Sequence, residues 1–369
     1  MKVGILGGGQ LGQMLAAAAT ELSFETLVLD PKLDAVAGQV TKHLVADWTD
    51  PDALAALAGC DVVTYEFENV PSAAVERLER GVAVHPAPEA LVISGDRIVE
   101  KNLFRELGIE TAPYAQVDER PDLDRAVDEI GLPAILKTRR FGYDGKGQFV
   151  LRERGDVELA WQTLGGQPLV LEGFVDFDRE VSVLAARSSK GETRAWPATE
   201  NVHVDGILHV SRAPAEGISE ALWATASTSL EAIMRRLDYV GVLVVEFFQV
   251  GERLIANEMA CRVHNSGHWT IEGAESSQFE NHVRAVSGLP LAPTRSRGFS
   301  AMVNLIGEVP ALDALIGRPG FFVHVYGKSP APGRKLGHIT LVANSREALE
   351  EQLAETLAVI GDRASERSA

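Results

Sequence analysis

Cysteine is nearly missing from this chain of 369 residues, Cys60 and Cys261 being the whole supply. Two thiols so placed provide neither a disulfide framework nor the paired spacing of a zinc site, which fits a reducing compartment. Cys261 lies in a polar run but reads as a small buried filler, not a nucleophile. Positive charge is also scarce. The 52 acidic and 35 basic residues leave a net charge of −17, which argues against non-specific attachment to nucleic acid or an anionic membrane. No apolar run reaches the roughly 18 residues of a membrane helix, and no basic-then-apolar leader is visible, so a cytoplasmic protein is expected.

What is present begins with length, enough for two or three domains with ample apolar content to bury. Lys2-Val-Gly-Ile-Leu6 reads as a buried strand, followed by Gly7-Gly-Gly-Gln-Leu-Gly12 and an alanine-rich helix to about Leu22. A second strand, Thr26 to Leu29, ends at Asp30. Glycines between strand and helix, with an acid about 20 positions on, match the dinucleotide fingerprint and taken alone would indicate a dehydrogenase. A strand from Asp61 to Tyr65 leads into Glu66-Phe-Glu-Asn-Val-Pro71, and another is expected near Val82. This alternation predicts a parallel sheet with its ligand edge at the glycines.

From Asp96-Arg97 a charged helix runs through Lys101 and Phe104 to Gly108. The strand Leu132 to Lys137 then precedes a loop with Gly142, Gly145 and Gly147 and three basic residues. Such a loop, rich in backbone N–H groups and positive charge, suits the covering of a triphosphate, and the strand-borne lysine favours this over a solvated hairpin tip. Leu169 to Val175 reads as a strand turning outward at Glu172, placed to meet an adenine edge with main chain and ribose hydroxyls with the acid. Glu180 begins an alternating strand, and Asn201-Val-His203 ends a further one. Helices are expected over about Ser219–Leu237 and Ser277–Ser287.

Between those helices, Val-Leu-Val-Val-Glu246-Phe-Phe and Leu-Ile-Ala-Asn257-Glu258 flank a turn at Gly251-Glu252. A hairpin sets Glu246 and Glu258 side by side on one face, a pair of hard oxygen ligands suited to Mg²⁺ against ATP phosphates. Arg262, His264, Asn265 and His268 follow at once, and so polar a run after a buried strand is costly unless it lines a site. Further on, Lys328, Arg334 and Lys335 form a basic island in a β-rich block, either a clamp for a substrate phosphate or a solvated turn.

Taken in order, Lys101, Lys137, the Gly142-Tyr-Asp-Gly-Lys-Gly-Gln148 flap, Glu172-Gly-Phe-Val175, Glu180 and the Glu246/Asn257-Glu258 hairpin resemble an ATP-grasp enzyme. With Tyr65-Glu-Phe-Glu-Asn-Val-Pro71 and Arg262-Val-His-Asn-Ser-Gly-His268, the chain from Met1 to about Val359 resembles the N5-carboxyaminoimidazole ribonucleotide synthetases, the ATP-dependent carboxylases of bacterial and fungal purine synthesis. Cys261 stands where that family commonly has proline. The resemblance implies an α/β and α+β fold of three domains: a Rossmann-like parallel sheet over 1–98, an ATP-grasp domain over 99–293 and a small β-rich domain over 294–360, with a disordered tail over 361–369.

It implies an ATP site of Arg97, Lys137, Gly142, Tyr143, Asp144, Gly145, Lys146, Gly147, Gln148, Glu172, Gly173, Phe174, Val175, Glu180, His203, Asn257 and Glu258. Glu246 and Glu258 would hold Mg²⁺, with Mn²⁺ an alternative. Tyr143 and Asp144 would face aminoimidazole ribonucleotide, Gln10, Leu11 and Glu66 would line it, and Lys328, Arg334 and Lys335 would hold its phosphate, with Glu68 competing for the part of Glu66. Arg262, His264 and Asn265 would surround the intermediate formed from bicarbonate. A homodimer and a separate mutase taking the product are implied as partners, with no nucleic acid and no membrane. The alternatives are a formate-dependent glycinamide ribonucleotide transformylase or another ATP-grasp ligase, a dehydrogenase, and a nucleotide sensor without catalysis.

Overall fold

The computed structural model describes residues 1–142 and 145–361. Tyr143, Asp144 and the expected tail from residue 362 lie outside the described residues.

The first layer is built from β1 (Lys2–Leu6), α1 (Gln10–Glu21), β2 (Glu25–Leu29), β3 (Lys42–Leu44), α2 (Pro51–Ala58), β4 (Val62–Tyr65), α3 (Ser72–Glu79) and α4 (Pro88–Ser94). Its sheet is parallel, in the order β3-β2-β1-β4. Strands buried on both faces need continuous apolar runs, which Val3 to Leu6 and Val62 to Tyr65 supply apart from Gly4 and Thr64. The strand expected near Val82 shrinks to one parallel bridge between Val63 and Val84, because Pro86 and Pro88 deny a ladder its donors just beyond it.

The second layer contains α5 (Arg97–Glu106), β5 (Tyr114–Val117), α6 (Arg120–Ile130), β6 (Ala134–Thr138), β7 (Gln148–Leu151), α7 (Asp156–Leu164) and β8 (Leu169–Gly173). Its four antiparallel strands run β5-β8-β6-β7. Helices α6 and α7 bury Leu123, Val127, Val157 and Leu164 against one face. The expected division between residues 98 and 99 falls inside α5, whose Asp96 cap accepts from Ile98 N.

The third layer comprises β9 (Arg179–Arg187), β10 (Thr193–Ala195), β11 (Thr199–Val204), β12 (Ile207–Ala213), α8 (Glu220–Arg236), β13 (Gly241–Val250), β14 (Arg253–Ala260), α9 (Thr270–Gly273), α10 (Gln278–Val286), β15 (Phe299–Ile306), β16 (Phe321–Val325), β17 (Lys335–Ala343) and α11 (Arg346–Ile360). Strand β9 is buried from Val181 to Ala186 and does not alternate as its sequence reads. It has a helix on each face: Val181, Val183 and Ala185 pack with Leu222 and Leu230 of α8, and Leu184 and Ala186 with Phe279 and Val283 of α10.

The sheet has nine strands, with a main path β14-β13-β9-β11-β12-β15-β17-β16 and β10 paired to β9. The strands of the expected third domain therefore extend the central sheet, since β15 pairs directly with β12 through Val210 and Val303. Among the described residues no helix is long and apolar enough to cross a membrane.

Candidate active site

Three elements bring three buried charges together. Lys137 stands near the end of β6, Lys101 on the buried face of α5, and Glu172 near the end of β8, whose antiparallel pairing with β6 sets it beside Lys137. Glu172 does not turn outward as its sequence position suggests. Its Oε2 takes Lys137 Nζ at 3.0 Å and Lys101 Nζ at 3.3 Å, while its Oε1 is a buried acceptor that finds no donor among the described residues. Burial alone would raise its pKa, but Lys137, Lys101 and Arg97 overcome that and hold it down at about 2. Burial lowers the pKa of Lys137, with Glu172 opposing. Lys101 Nζ also reaches Asn257 O at 3.3 Å.

The main chain just beyond Glu172 is engaged as well. Gly173 N donates to Pro113 O and Phe174 N to Pro133 O, so an adenine edge here would be met by other main-chain groups of the stretch to Val175. Between β6 and β7 the flap closes on Thr138, whose N–H donates to Gly147 O at 2.8 Å. Gly147 has φ +73°, and a Cβ there would stand 2.7 Å from Thr138 Oγ1, so a side chain would push the loop off its strand. Gly142, Gly145 and Lys146 share this loop, and Gln148 opens β7 opposite Lys137.

Glu246 and Glu258 are direct cross-strand partners in the β13–β14 hairpin, as its sequence predicts. Their environments differ. Glu258, 39% exposed, accepts from Arg97 Nη1 at 2.9 Å; burial would raise its pKa, but Arg97 holds it below the ordinary value. Glu246 is 15% exposed, and burial first, then the Glu258 charge, push it up to about 7 against the pull of His203. Glu246 Oε1 and Asn257 Oδ1 are buried acceptors that find no donor among the described residues. Two orphaned oxygens, one of them on a carboxylate reluctant to ionise, have the chemistry a hard cation would satisfy. No group of three or more His, Cys, Asp or Glu among the described residues is arranged to hold a metal. A Mg²⁺ here would therefore rest on the two carboxylates and Asn257 Oδ1, with phosphate and water supplying further oxygens.

The run after β14 folds back over this pair. Arg262 Nη2 binds Glu68 Oε1 at 2.8 Å, and His264 Nδ1 stands 3.7 Å from Glu246 Oε1. Burial first, then Arg262 and Lys335, hold His264 well below its ordinary pKa, keeping it neutral. Asn265 exchanges amide hydrogen bonds with Asn304 of β15 at 2.7 and 3.1 Å. His203 contacts Glu180 across β11 and β9; burial opposes the resulting rise in its pKa, and Glu180 prevails. Cys261 packs against Ser94 Oγ at 2.9 Å in the core, as a filler would.

At the other end the N-terminal glycines serve packing. A Cβ on Gly12 would lie 2.4 Å from Gly7 O, and one on Gly9 2.9 Å from Glu66 Oε1. Asp30, the acid of the dinucleotide fingerprint, accepts from Gly8 N and Lys32 N at 2.8 Å. It is committed to its own loop and does not wait for a ribose. Glu66 likewise accepts from Gly9 N at 2.7 Å, and Glu68 holds Arg262, so the two acids have separate tasks. Leu11 turns its side chain into the core beside Leu15, leaving only main chain for a ligand. Lys328 Nζ crosses to Gln10 Oε1 at 2.9 Å and to Lys335 O at 3.2 Å. Arg334, exposed, donates to Ser329 O. Lys335 stands close enough to depress His264 and Glu246, nearer the glutamate pair than its neighbour in sequence suggests.

Sequence reasoning left Lys101 a motif residue without a stated role and Glu68 only a rival to Glu66 at the substrate, and it missed the pairing of Glu68 with Arg262. Lys101 carried a signal, a lysine amid the buried positions of an amphipathic helix; Glu68 carried none beyond its motif.

Three family models match the chain: a ribonucleotide synthetase preATP-grasp domain over 1–95, an ATP-grasp domain over 102–279 and a phosphoribosylaminoimidazole carboxylase C-terminal domain over 300–352. The N5-carboxyaminoimidazole ribonucleotide synthase of Pseudomonas aeruginosa is 50% identical over 98% of this chain and 99% of its own. The crystal structure of the Thermus thermophilus N5-carboxyaminoimidazole ribonucleotide synthetase superposes with TM-score 0.94 at 52% identity, covering 98% of this chain and 99% of that one. An Aspergillus clavatus N5-carboxyaminoimidazole synthase in complex with ADP and 5-aminoimidazole ribonucleotide superposes with TM-score 0.90 at 31% identity, over 98% of each. The chain belongs to the N5-carboxyaminoimidazole ribonucleotide synthetase family of ATP-grasp ligases.

Proposed function

We propose, from that membership and the geometry of the site, that the protein joins bicarbonate to the exocyclic amine of 5-aminoimidazole ribonucleotide with ATP, giving N5-carboxyaminoimidazole ribonucleotide, ADP and phosphate in purine synthesis. The observation that supports the assignment of residues is the Arg262–His268 run folded over the Glu246/Glu258 pair, which offers a guanidinium and a neutral imidazole to a small oxyanion beside a nucleotide phosphate. The N-terminal glycines support no dinucleotide alternative, because Asp30 is already engaged.

In this reading a bicarbonate oxygen attacks the γ-phosphorus and ADP leaves, giving carboxyphosphate. The amine nitrogen then takes the carboxyl carbon, phosphate departs and the amine loses a proton. Lys137 and Arg97 face the phosphate charge, and such a reaction is governed mainly by placement and electrostatics. Mg²⁺, held by Glu246, Glu258 and Asn257, would supply charge neutralisation on the phosphate oxygens. Arg262, His264 and Asn265 orient the bicarbonate-derived group. The flap over Gly142 to Gln148 keeps water from an anhydride that hydrolyses readily. Lys328 and Arg334 bind the ribonucleotide phosphate, Glu180 and His203 the nucleoside of ATP. The same reading carries a cytoplasmic homodimer and a separate mutase that consumes the product.

Purified protein should release phosphate from Mg-ATP fastest when bicarbonate and aminoimidazole ribonucleotide are both present, and much more slowly when either is omitted. Turnover with formate and glycinamide ribonucleotide, and none with bicarbonate and aminoimidazole ribonucleotide, would overturn the assignment.

A further inference from the structure

One proton beside His264 has a location that chemistry fixes. The backbone N–H of Ser266 points at His264 Nδ1 from 3.3 Å, at the start of the 3-10 turn Asn265–Gly267. An amide N–H only donates, so Nδ1 presents its lone pair. Ser266 Oγ lies 2.9 Å from the same nitrogen and must donate to it as well. With its own hydrogen directed at Nδ1, that hydroxyl accepts from Ser182 Oγ at 2.8 Å. Ser182 Oγ in turn accepts from Asn201 Nδ2 at 3.0 Å, and Asn201 Oδ1 accepts from Ser211 Oγ at 2.8 Å. Every link is directed by the one before it. Glu246 Oε1, 3.7 Å from Nδ1, is beyond hydrogen-bond reach and offers no rival acceptor for a proton there.

The chain crosses β12, β11 and β9 and ends in the loop after β14. Ser182, Ser211 and Ser266 are wholly buried, and Asn201 is 5% exposed. Burying polar groups is unfavourable unless all are satisfied, and small apolar residues would build the same strands without that demand. The polarity therefore needs a purpose outside the fold, and its one terminus at a site residue supplies it.

We infer that Ser266, Ser182, Asn201 and Ser211 are positioning residues that lock His264 in the tautomer protonated on Nε2, so that it serves the carboxylation as a neutral N–H donor to the bicarbonate-derived oxyanion and not as a base through Nδ1. This rests on the role of His264 proposed above. A ring whose other nitrogen is held by a defined partner presents the correct face without reorganising, as metal-bound and catalytic imidazoles do.

Selective ¹⁵N-histidine labelling reads the tautomer directly, because protonated and unprotonated ring nitrogens resonate far apart, and His264→Gln identifies the signal. Wild-type His264 should carry its proton on Nε2. Ser266→Ala and Ser182→Ala should mix the tautomers and lower kcat by about 10- to 100-fold, the usual range for partners that orient a site residue, with KM for ATP unmoved. Ser211→Ala, at the far end, should act in the same direction and less. In His264→Gln the amide N–H stands in for Nε2–H without relying on Nδ1, so Ser266→Ala should add little there. A wild-type proton on Nδ1 would overturn the inference. So would Ser266→Ala and Ser182→Ala variants with unchanged tautomer and kcat, or a Ser266→Ala loss of equal size in both backgrounds. Full turnover by His264→Ala would instead remove the role of His264 itself, whatever its tautomer.

Discussion

The two charged regions of the site hold their ions in opposite ways. Around the proposed ATP position, Lys101, Lys137, Glu172, Arg97 and Glu258 are paired with one another before any ligand is bound, and the Lys101 and Glu172 side chains are 0% and 4% exposed. Around the proposed ribonucleotide position, Lys328 and Arg334 are tethered by neutral oxygens, those of Gln10, Lys335 and Ser329. A mutually paired nest fixes geometry, and removing one member leaves its partner charged and buried. A cation tethered by neutral acceptors keeps its full charge for a ligand, so its loss should be felt by that ligand alone. The first region ties chemistry to folding, and the second separates them.

Glu258→Gln should break the nest most severely. It removes a charge beside the phosphates and the carboxylate that holds Arg97, and ADP release at saturating Mg²⁺ should fall by several kcal/mol of transition-state stabilisation, an order-of-magnitude figure for a metal ligand. Glu246→Gln should behave similarly, and wild-type turnover by either variant would refute the metal assignment. Lys101→Met comes next. By leaving Glu172 with one lysine it should cost about 3–5 kcal/mol of stability in urea unfolding, whereas Lys328→Met should stay within about 0.5 kcal/mol. Equal losses from the two would erase the distinction between the regions.

How far the sequence disclosed this depends on how far apart the partners lie along it. Lys137, the flap and the Glu246/Glu258 pair were legible because a hairpin or a strand end sets them by local periodicity alone. Glu172 was found but misplaced, since its strand looks like an exit into solvent until Lys101, on a helix from another part of the chain, closes over it. The glycine fingerprint misled for a related reason: the letters are those of a dinucleotide loop, and only the fold shows Gly8 N already occupying Asp30. The continuation of the central sheet through β12 and β15, and the serine chain beneath His264, rest on pairings between distant segments that no local pattern encodes. Strand β9 read as alternating because its small and polar residues look exposed, yet helices cover both its faces.

The ribonucleotide region offers the gentler test. Lys328→Ala and Arg334→Ala should each raise KM for aminoimidazole ribonucleotide by about 1.5–3 kcal/mol, the worth of a charge-assisted bond, and leave KM for ATP nearly unchanged. A parallel loss of ATP affinity would mean that Lys328, through its contact with Lys335, belongs to the nest after all.

The smallest expected effect is a proton count. Glu246 without a cation titrates at about 7, above its ordinary 4.5. Its protonated form is thus favoured by the fold, so its contribution to stability is present below about 4.5 and is lost as pH rises through about 7. A cation demands the ionised form. Loading Mg²⁺ with a non-hydrolysable ATP analogue at pH 6 should therefore expel a fraction of a proton from the wild type beyond what Glu246→Gln expels, and this difference should vanish by pH 9. Calorimetry in buffers of different ionisation enthalpy measures it. Glu100, buried and raised to about 8 by burial first and then the Glu258 charge, donates nothing to the difference as long as its acceptance of Met259 N persists in both proteins. Equal proton release by wild type and variant at pH 6 would show that Glu246 is already ionised without metal. Its orphaned oxygen would then mark a tolerated defect in the nest and not a place kept for a cation.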